Sequence, residues 1–224
     1  MQKTIFAIVL SAAILPTLSF GATTTPQTVS YNFSGGTKIL TFNQFDSTFG
    51  TLTGVKIEIT LQKTGGNVTV DNDSSDSGTM TLTQELDLTV KMGATQLATL
   101  AAISSDSKFV GATSGDAIGF TATGNTDYVQ FAPATASDSA VVNPSSPFTA
   151  YIGTGTFGLS AKLSVSNDFS FNNVYATVDP TTGTGNVTVT YTYTPTAVPE
   201  PTTWAMLVGG LGVLFAGRRL TRRS

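Results

Sequence analysis

Hydrophobic residues recur at every second position through much of the chain. Val55, Ile57, Ile59 and Leu61 alternate with polar residues, and the same alternation runs through 80–90, 157–165 and 187–193. Successive side chains of a β-strand point to opposite faces, so this period predicts strands with one buried and one exposed face. Half-buried strands of this kind are typical of antiparallel sheets.

Shorter stretches of the same character predict further strands, and turn-forming residues separate them. The additional strands are expected at 28–33, 38–42, 96–101, 118–122, 128–131, 149–152 and 175–178. Gly, Asn, Asp and Ser clusters predict turns at 34–36, 65–67, 71–78, 153–155 and 181–185, and residues 133–147 form a long polar segment expected to be a loop. Many short strands with frequent turns indicate an all-β fold, an antiparallel β-sandwich of immunoglobulin-like or jelly-roll connectivity, over residues 22–197.

The N-terminus has the composition of an export signal. Residues 1–3 are cationic, residues 5–18 are apolar, and Ser19 and Gly21 are small residues at the −3 and −1 positions of a cleavage site. This pattern predicts a signal peptide over 1–21, exported by the Sec machinery and cut by signal peptidase between Gly21 and Ala22. The alternative is a permanent N-terminal anchor.

The composition of the body excludes several classes of function. Residues 22–197 contain six lysines, no arginine and 13 acidic residues, so their formal charge is −7. An acidic surface repels phosphate backbones and argues against nucleic-acid binding. The chain has no cysteine and no histidine, which removes Ser-His-Asp and Cys-His nucleophiles, thiolate or imidazole zinc sites and a lipoprotein cysteine. Stability must come from a hydrophobic core without disulfides.

An acidic stretch is the candidate metal site. Asp71, Asp73 and Asp76 are clustered in a turn and could offer oxygen ligands to Ca²⁺. The stretch fails the EF-hand pattern, because Asp76 stands at the glycine position and Leu82 at the glutamate position. A solvated hairpin loop without metal is the alternative, and we predict no other cofactor.

Enzymatic alternatives rest on carboxylates. Glu85 and Asp87 share one face of a predicted strand, and with Asp46 they could serve a glycoside hydrolase or lyase. That face also carries threonines, which indicates a solvent side, so we predict no enzymatic activity. A carbohydrate-binding module is a further alternative, although the body lacks tryptophan.

The C-terminal segment has three parts. Two prolines keep residues 198–201 out of a helix, and an apolar, glycine-containing stretch over 202–217 follows, with Trp204 at an interfacial position. These 16 residues would span roughly 24 Å as a helix against roughly 30 Å of hydrocarbon, which favours a temporary membrane anchor over a permanent one. A buried core helix is the alternative, and it conflicts with the basic tail over 218–224, whose arginines are Arg218, Arg219, Arg222 and Arg223.

This segment, VPEPTTWAMLVGGLGVLFAGRRLTRRS, resembles the PEP-CTERM sorting signal of Gram-negative bacteria. The resemblance implies that an exosortase, a membrane-embedded cysteine protease, recognises the motif and removes the tail. The sorting motif would consist of Val198, Pro199, Glu200 and Pro201, of which Pro199, Glu200 and Pro201 would be the recognised residues. The protein would pass transiently through the inner membrane and then reach the outer envelope, the cell surface or the extracellular matrix.

The body is similar to the choice-of-anchor E domain. The similarity lies in FNQFDSTFGTLTGVKIEITL (42–61), YIGTGTFGLSAKLSV (151–165) and NVTVTYTYTPTAVPEP (186–201). It implies an exported all-β domain joined to a C-terminal anchor. The expectation for the whole chain is therefore a structural or adhesive protein of the cell surface or matrix, linked to exopolysaccharide or biofilm.

Overall fold

The computed structural model describes residues 21–113, 126–132, 134–171 and 174–196, together with residues 207, 209–212 and 218 of the C-terminal segment. The predicted strand at 118–122 lies outside these residues, as do residues 198–201 and Trp204. The described body is built from β-strands and two single-turn 3-10 helices, at Ser47–Phe49 and Thr149–Tyr151. The strands are β1 Ala22–Thr23, β2 Gln27–Phe33, β3 Gly36–Asn43, β4 Gly50–Gly65, β5 Val68–Asn72, β6 Gly78–Met92, β7 Thr95–Val110, β8 Tyr128–Phe131, β9 Ala136–Val142, β10 Thr156–Phe169, β11 Val174–Val178 and β12 Thr181–Pro195.

The strands form three antiparallel sheets that pack as two layers. One layer is the four-stranded sheet β3-β10-β6-β7. The other layer holds two sheets placed end to end, a five-stranded sheet and the three-stranded sheet β11-β5-β8. In the five-stranded sheet, β12 pairs with β4 along one edge and with β1 and β2 along the other. Strand β9 pairs with the free edge of β4. The long strands of the first layer run beneath both sheets of the second. The expected all-β, sandwich-like architecture is confirmed.

Two hydrophobic clusters lie between the layers. The larger one packs the five-stranded sheet against the facing half of the four-stranded sheet, and its centre includes Ile57, Ile59, Leu88, Leu159 and Val189. The smaller one packs the three-stranded sheet against the other half, through Val68, Val70, Met80, Leu82, Val110 and Phe131. The inward residues of the predicted strands are therefore buried, as their period-two pattern requires.

Side chains connect the two layers at both open edges. At one edge, Gln27 of β2 donates from Nε2 to the Asn43 carbonyl of β3 at 3.1 Å and accepts from the Asn43 N–H at 2.8 Å. At the other, Asp138 of β9 accepts from the Ala101 N–H of β7 at 2.9 Å. These bonds satisfy backbone groups that an unpaired edge would leave open to other chains.

Three local predictions are wrong. Residues 149–152 form a 3-10 turn, closed by a 2.9 Å bond from the Tyr151 N–H to the Phe148 carbonyl, and not a strand. Residues 181–185 are the first part of β12, because β4 and β2 flank this glycine- and threonine-rich stretch on its two sides. The predicted loop at 133–147 contains β9, which pairs with β4 over seven positions. The turns at 34–36, 65–67 and 153–155 occur as expected, each with at least one glycine at positive φ.

Candidate functional site

A polar trough of about 790 Å³ crosses the outer face of the five-stranded sheet. Strands β2, β12, β4 and β9 each contribute to its walls, so the trough runs across the strands instead of along one of them. Hydroxyl and carboxamide groups dominate the lining, which includes Ser30, Asn32, Gln62, Ser139, Thr184 and Asn186. Groups of this kind exchange hydrogen bonds with neutral polar ligands.

The floor of the trough is an opened stretch of the β4–β12 ladder. Tyr31 reaches between the strands and donates from its hydroxyl to the Thr60 carbonyl at 2.5 Å, while Thr60 Oγ1 accepts from the Asn186 N–H at 3.0 Å. Gly185 leaves the space for this arrangement: a Cβ atom there would lie 1.9 Å from the Thr60 carbonyl oxygen and 2.6 Å from the Tyr31 hydroxyl. A glycine is therefore required at this position for steric reasons.

Asp138 is the acidic residue among those that line the trough, and its carboxylate is already occupied. Oδ2 accepts from the Ala101 N–H at 2.9 Å and Oδ1 accepts from the Ser139 N–H at 2.8 Å. Both oxygens thus hold backbone donors in place. The trough offers hydrogen bonding by neutral groups, without a pair of free carboxylates facing each other.

The carboxylates considered for glycoside chemistry lie on separate elements. Glu85 and Asp87 project from β6 in the four-stranded sheet, on the side opposite its buried residues. Asp46 caps the 3-10 helix at Ser47–Phe49 by accepting from the Thr48 N–H at 2.9 Å. This bond holds the pKa of the Asp46 carboxyl below its usual value. The structure therefore does not bring Asp46 together with the other two.

The candidate calcium loop is organised by an amide. Asn72 is fully buried; its Nδ2 donates to the Asp76 carbonyl at 2.8 Å and the Gly111 carbonyl at 2.7 Å, and its Oδ1 accepts from the Ser74 N–H at 3.0 Å. Asp71 is buried in β5, Asp73 is half-buried and Asp76 is exposed. Among the residues that the structure describes, no three acidic side chains are grouped so that they could hold a metal ion.

A buried lysine separates the two hydrophobic clusters, and sequence reasoning missed it. Lys63 is inaccessible to solvent, and its Nζ donates to Gln84 Oε1 at 3.0 Å, Ser104 Oγ at 3.1 Å and the Ala134 carbonyl at 3.0 Å. Burial lowers the pKa of this amine. The available signal was positional: Lys63 continues the inward series after Leu61 on β4.

Gln84 completes this polar layer from the other sheet. Its Nε2 donates to the Gly66 carbonyl and to Asn167 Oδ1, both at 2.9 Å. In the sequence it interrupts the apolar face of β6 between Leu82 and Leu86. Three acceptors match the three N–H donors of an ammonium group, so the layer satisfies Lys63 without a carboxylate.

Both ends of the described body leave the sandwich at the same place, here called the exit end. Ala22 pairs with Tyr193 in β1 and β12, and the Thr196 N–H donates to the Phe49 carbonyl at 3.2 Å. The opposite end, formed by β5, β8 and β11, is the far end. The predicted signal cleavage position, between Gly21 and Ala22, and the start of the sorting segment after Thr196 therefore lie side by side.

The sorting and anchor residues are only partly described. Val198, Pro199, Glu200, Pro201, Trp204, Arg219, Arg222 and Arg223 lie outside the described residues, whereas Leu207, residues 209–212 and Arg218 are helical. Across the described parts of the chain, no helix has both the length and the apolar character needed to cross a bilayer.

Comparison with known proteins identifies the C-terminal segment. Residues 197–223 match the sequence profile of the PEP-CTERM protein-sorting motif, which confirms that resemblance and indicates an exported, membrane-transiting protein directed to an exosortase. No curated protein matches the chain. The resemblance of the body to the choice-of-anchor E domain gains no support from these comparisons.

Similarity to solved structures is slight. Infectious bursal virus-derived T=1 particles match with 14% identity over 92% of this chain and 51% of the viral chain, at a TM-score of 0.15. The infectious bursal disease virus Gt strain matches with 12% identity over 92% of this chain and 54% of the viral chain, at a TM-score of 0.11. This chain spans about half the length of those viral chains.

Proposed function

We propose that this protein is a structural or adhesive component of the cell surface or extracellular matrix, delivered there after exosortase processing. The match of residues 197–223 to the sorting motif is the observation that carries the proposal. The residues recognised would be Pro199, Glu200 and Pro201, and the segment over 202–217 would hold the precursor in the inner membrane until the tail is cut.

The body suits an exterior environment. Its formal charge of −7 over residues 22–197 favours solubility, and two hydrophobic clusters stabilise it without a disulfide. We infer a non-enzymatic role, because the trough presents neutral hydroxyl and amide groups and its carboxylate, Asp138, is engaged by two backbone N–H groups. Exopolysaccharide of a biofilm matrix is the partner that such a role implies.

The delivery step is tested by fractionating cells that have or lack their exosortase and detecting the body with an antibody. The proposal predicts that the protein is found in the surface or matrix fraction when exosortase is present and in the inner membrane when it is absent. An equal distribution in the two strains would contradict exosortase-dependent delivery.

A second candidate function is the binding of a neutral polysaccharide in the trough. The supporting observation is the set of hydroxyl and carboxamide groups that crosses four strands. We expect Gln62→Ala, within the trough, to weaken glycan binding by roughly three- to tenfold, the value of one net hydrogen bond. Gln96→Ala, on β7 in the other layer, is the matched control. Equal affinity of both variants and the parent protein would exclude the trough as the binding surface.

A further inference from the structure

We propose that the exit end of the sandwich, with Phe49 at its tip, is a docking surface for the phospholipid bilayer while the tail holds the precursor in the membrane. The inference rests on the proposed membrane-held intermediate and adds an orientation to it. The far end then points away from the membrane, toward the matrix.

The position of the chain exit supports this orientation. Thr196 is bonded to Phe49 through the backbone, and Ala22 lies beside Tyr193. Five residues lie between Thr196 and Thr202, where the apolar segment begins, and the six Cα-to-Cα steps from Thr196 to Thr202 span at most roughly 20 Å. The exit end is thus within a short tether of the bilayer, whereas the far end lies a full sandwich length beyond it.

Phe49 is rigidly presented at this end. Its side chain is 62% exposed, in a stretch whose backbone is fixed by the Asp46 cap and by a 3.2 Å bond from its own N–H to the Asp46 carbonyl. Gly50 allows the backbone of this loop to pack closely against β12. Any residue with a Cβ atom would clash there, since that atom would lie 2.1 Å from the Thr194 carbonyl oxygen. Transfer of the Phe49 ring from water into the membrane interface would be favourable, because it removes apolar surface from water.

The distribution of charge favours the same orientation. The exit-end stretches 22–25, 44–51, 91–96, 152–156 and 193–196 contain one acidic residue, Asp46, and one basic residue, Lys91. The surface of the far end carries Asp73, Asp76 and Asp179, with Lys108 nearby, whereas Asp71 and Asp127 of the same end are buried. An anionic bilayer repels the acidic far end and leaves the neutral exit end free to approach.

Nitroxide labels can test the orientation, because the chain has no cysteine of its own. Phe49→Cys and Phe109→Cys each place one label at an exposed phenylalanine; Phe109 is 68% exposed and lies at the end of β7 near the far end, so it is the matched control. The full chain with its tail is mixed with vesicles of phosphatidylethanolamine and phosphatidylglycerol. Flotation reports tail binding, and the accessibility of each label to oxygen and to a polar nickel complex reports its depth.

The expected result is flotation of both variants, with the label at 49 favouring oxygen and the label at 109 favouring the nickel complex. Phe49→Ser should also weaken vesicle binding by roughly tenfold, whereas Phe109→Ser leaves it unchanged. Flotation with both labels in water overturns the docking surface alone. Absence of flotation overturns the membrane-held intermediate together with it.

Discussion

The ammonium of Lys63 donates to Gln84 Oε1 at 3.0 Å, joining the two layers at the boundary between two hydrophobic clusters. Neither residue pairs with a carboxylate there; neutral acceptors replace the water that Lys63 loses on folding. A buried charge of this kind costs free energy unless every donor finds an acceptor. The pair therefore fixes how the five-stranded sheet sits over β6.

Lys63→Met should destabilise the protein by about 2–4 kcal/mol, because it leaves Gln84 Oε1 and the Ala134 carbonyl without their donor. Urea unfolding followed by circular dichroism measures the change. Lys56→Met is the matched control, on the outer face of the same strand, where Lys56 pairs with Glu58 at the surface; its cost should stay within about 0.5 kcal/mol. Equal losses for the two variants would contradict the structural role of Lys63.

Stability should rise with pH as Lys63 releases its proton. Burial lowers the pKa of Lys63 in the folded state from its ordinary value of 10.5. Between the lowered value and 10.5, the unfolded chain binds more protons, so the free energy of unfolding increases with pH in that interval. Urea titrations of the parent and Lys63→Met below pH 10 test this: the increase should be present in the parent and absent from the variant.

Above pH 10 the tyrosines reverse the trend. Burial raises the pKa of Tyr31, Tyr151 and Tyr191 above their ordinary value of 10.0, so the unfolded chain releases protons first and stability falls as pH rises. Absorbance at the tyrosinate band should increase together with loss of circular dichroism. Tyr191→Phe should reduce the steepness of this fall, whereas Tyr175→Phe, at an exposed position, should leave it unchanged. Ionisation of the buried tyrosines without unfolding would refute this account.

Gly185→Ala should cost about 3 kcal/mol or more, because the new methyl group collides with the Thr60 carbonyl and the Tyr31 hydroxyl. Gly54→Ala in β4 is the control, since its Cβ would meet Thr192 Cβ at an ordinary 3.5 Å; it should be neutral or slightly stabilising. Thermal unfolding of both variants measures the difference. An unchanged melting temperature for Gly185→Ala would mean that the Tyr31 side chain does not lie between β4 and β12 as described.

Calcium should not change the melting temperature. The loop over 73–77 is held by Asn72, so neither added Ca²⁺ nor a chelator should shift the melting temperature. Asn72→Ala should cost about 2–4 kcal/mol, because it removes the donor from the buried Gly111 carbonyl and from the part-buried Asp76 carbonyl. Asp76→Asn, at an exposed position, should be neutral. A calcium-dependent increase in melting temperature that Asp76→Asn abolishes would restore the metal site.

The sequence predicted the strands whose two faces differ and missed those whose character depends on neighbours. Ile57 and Ile59 reveal β4 by alternation alone. Strand β9 is polar and half-buried, so only its pairing with β4 makes it a strand. The glycines of 181–185 favour a turn when only the sequence is considered. In the structure they are strand residues, because Leu163 packs against Gly183 and Tyr31 packs against Gly185. The trough was also unpredictable, because its lining comes from four strands that are distant in sequence.

The sorting segment shows the opposite case. The order and spacing of prolines, apolar residues and arginines predict the sorting segment over 198–224, and these are local properties of the chain. The match of the sorting-motif profile over 197–223 confirms the prediction. The segment serves for recognition by an exosortase, so its local sequence is enough to identify it and no tertiary contact is needed. The polar trough of the body has no equivalent local motif and becomes visible only in the assembled sheet.

Removal of the tail by an exosortase is tested most directly by the intact mass of the protein. The protein is purified from cells with an active exosortase and from matched cells without it. We expect a product that begins at Ala22 and lacks Arg218, Arg219, Arg222 and Arg223 in the first strain, and one that retains all four arginines in the second. A mature protein that keeps these arginines in cells with active exosortase would contradict the account.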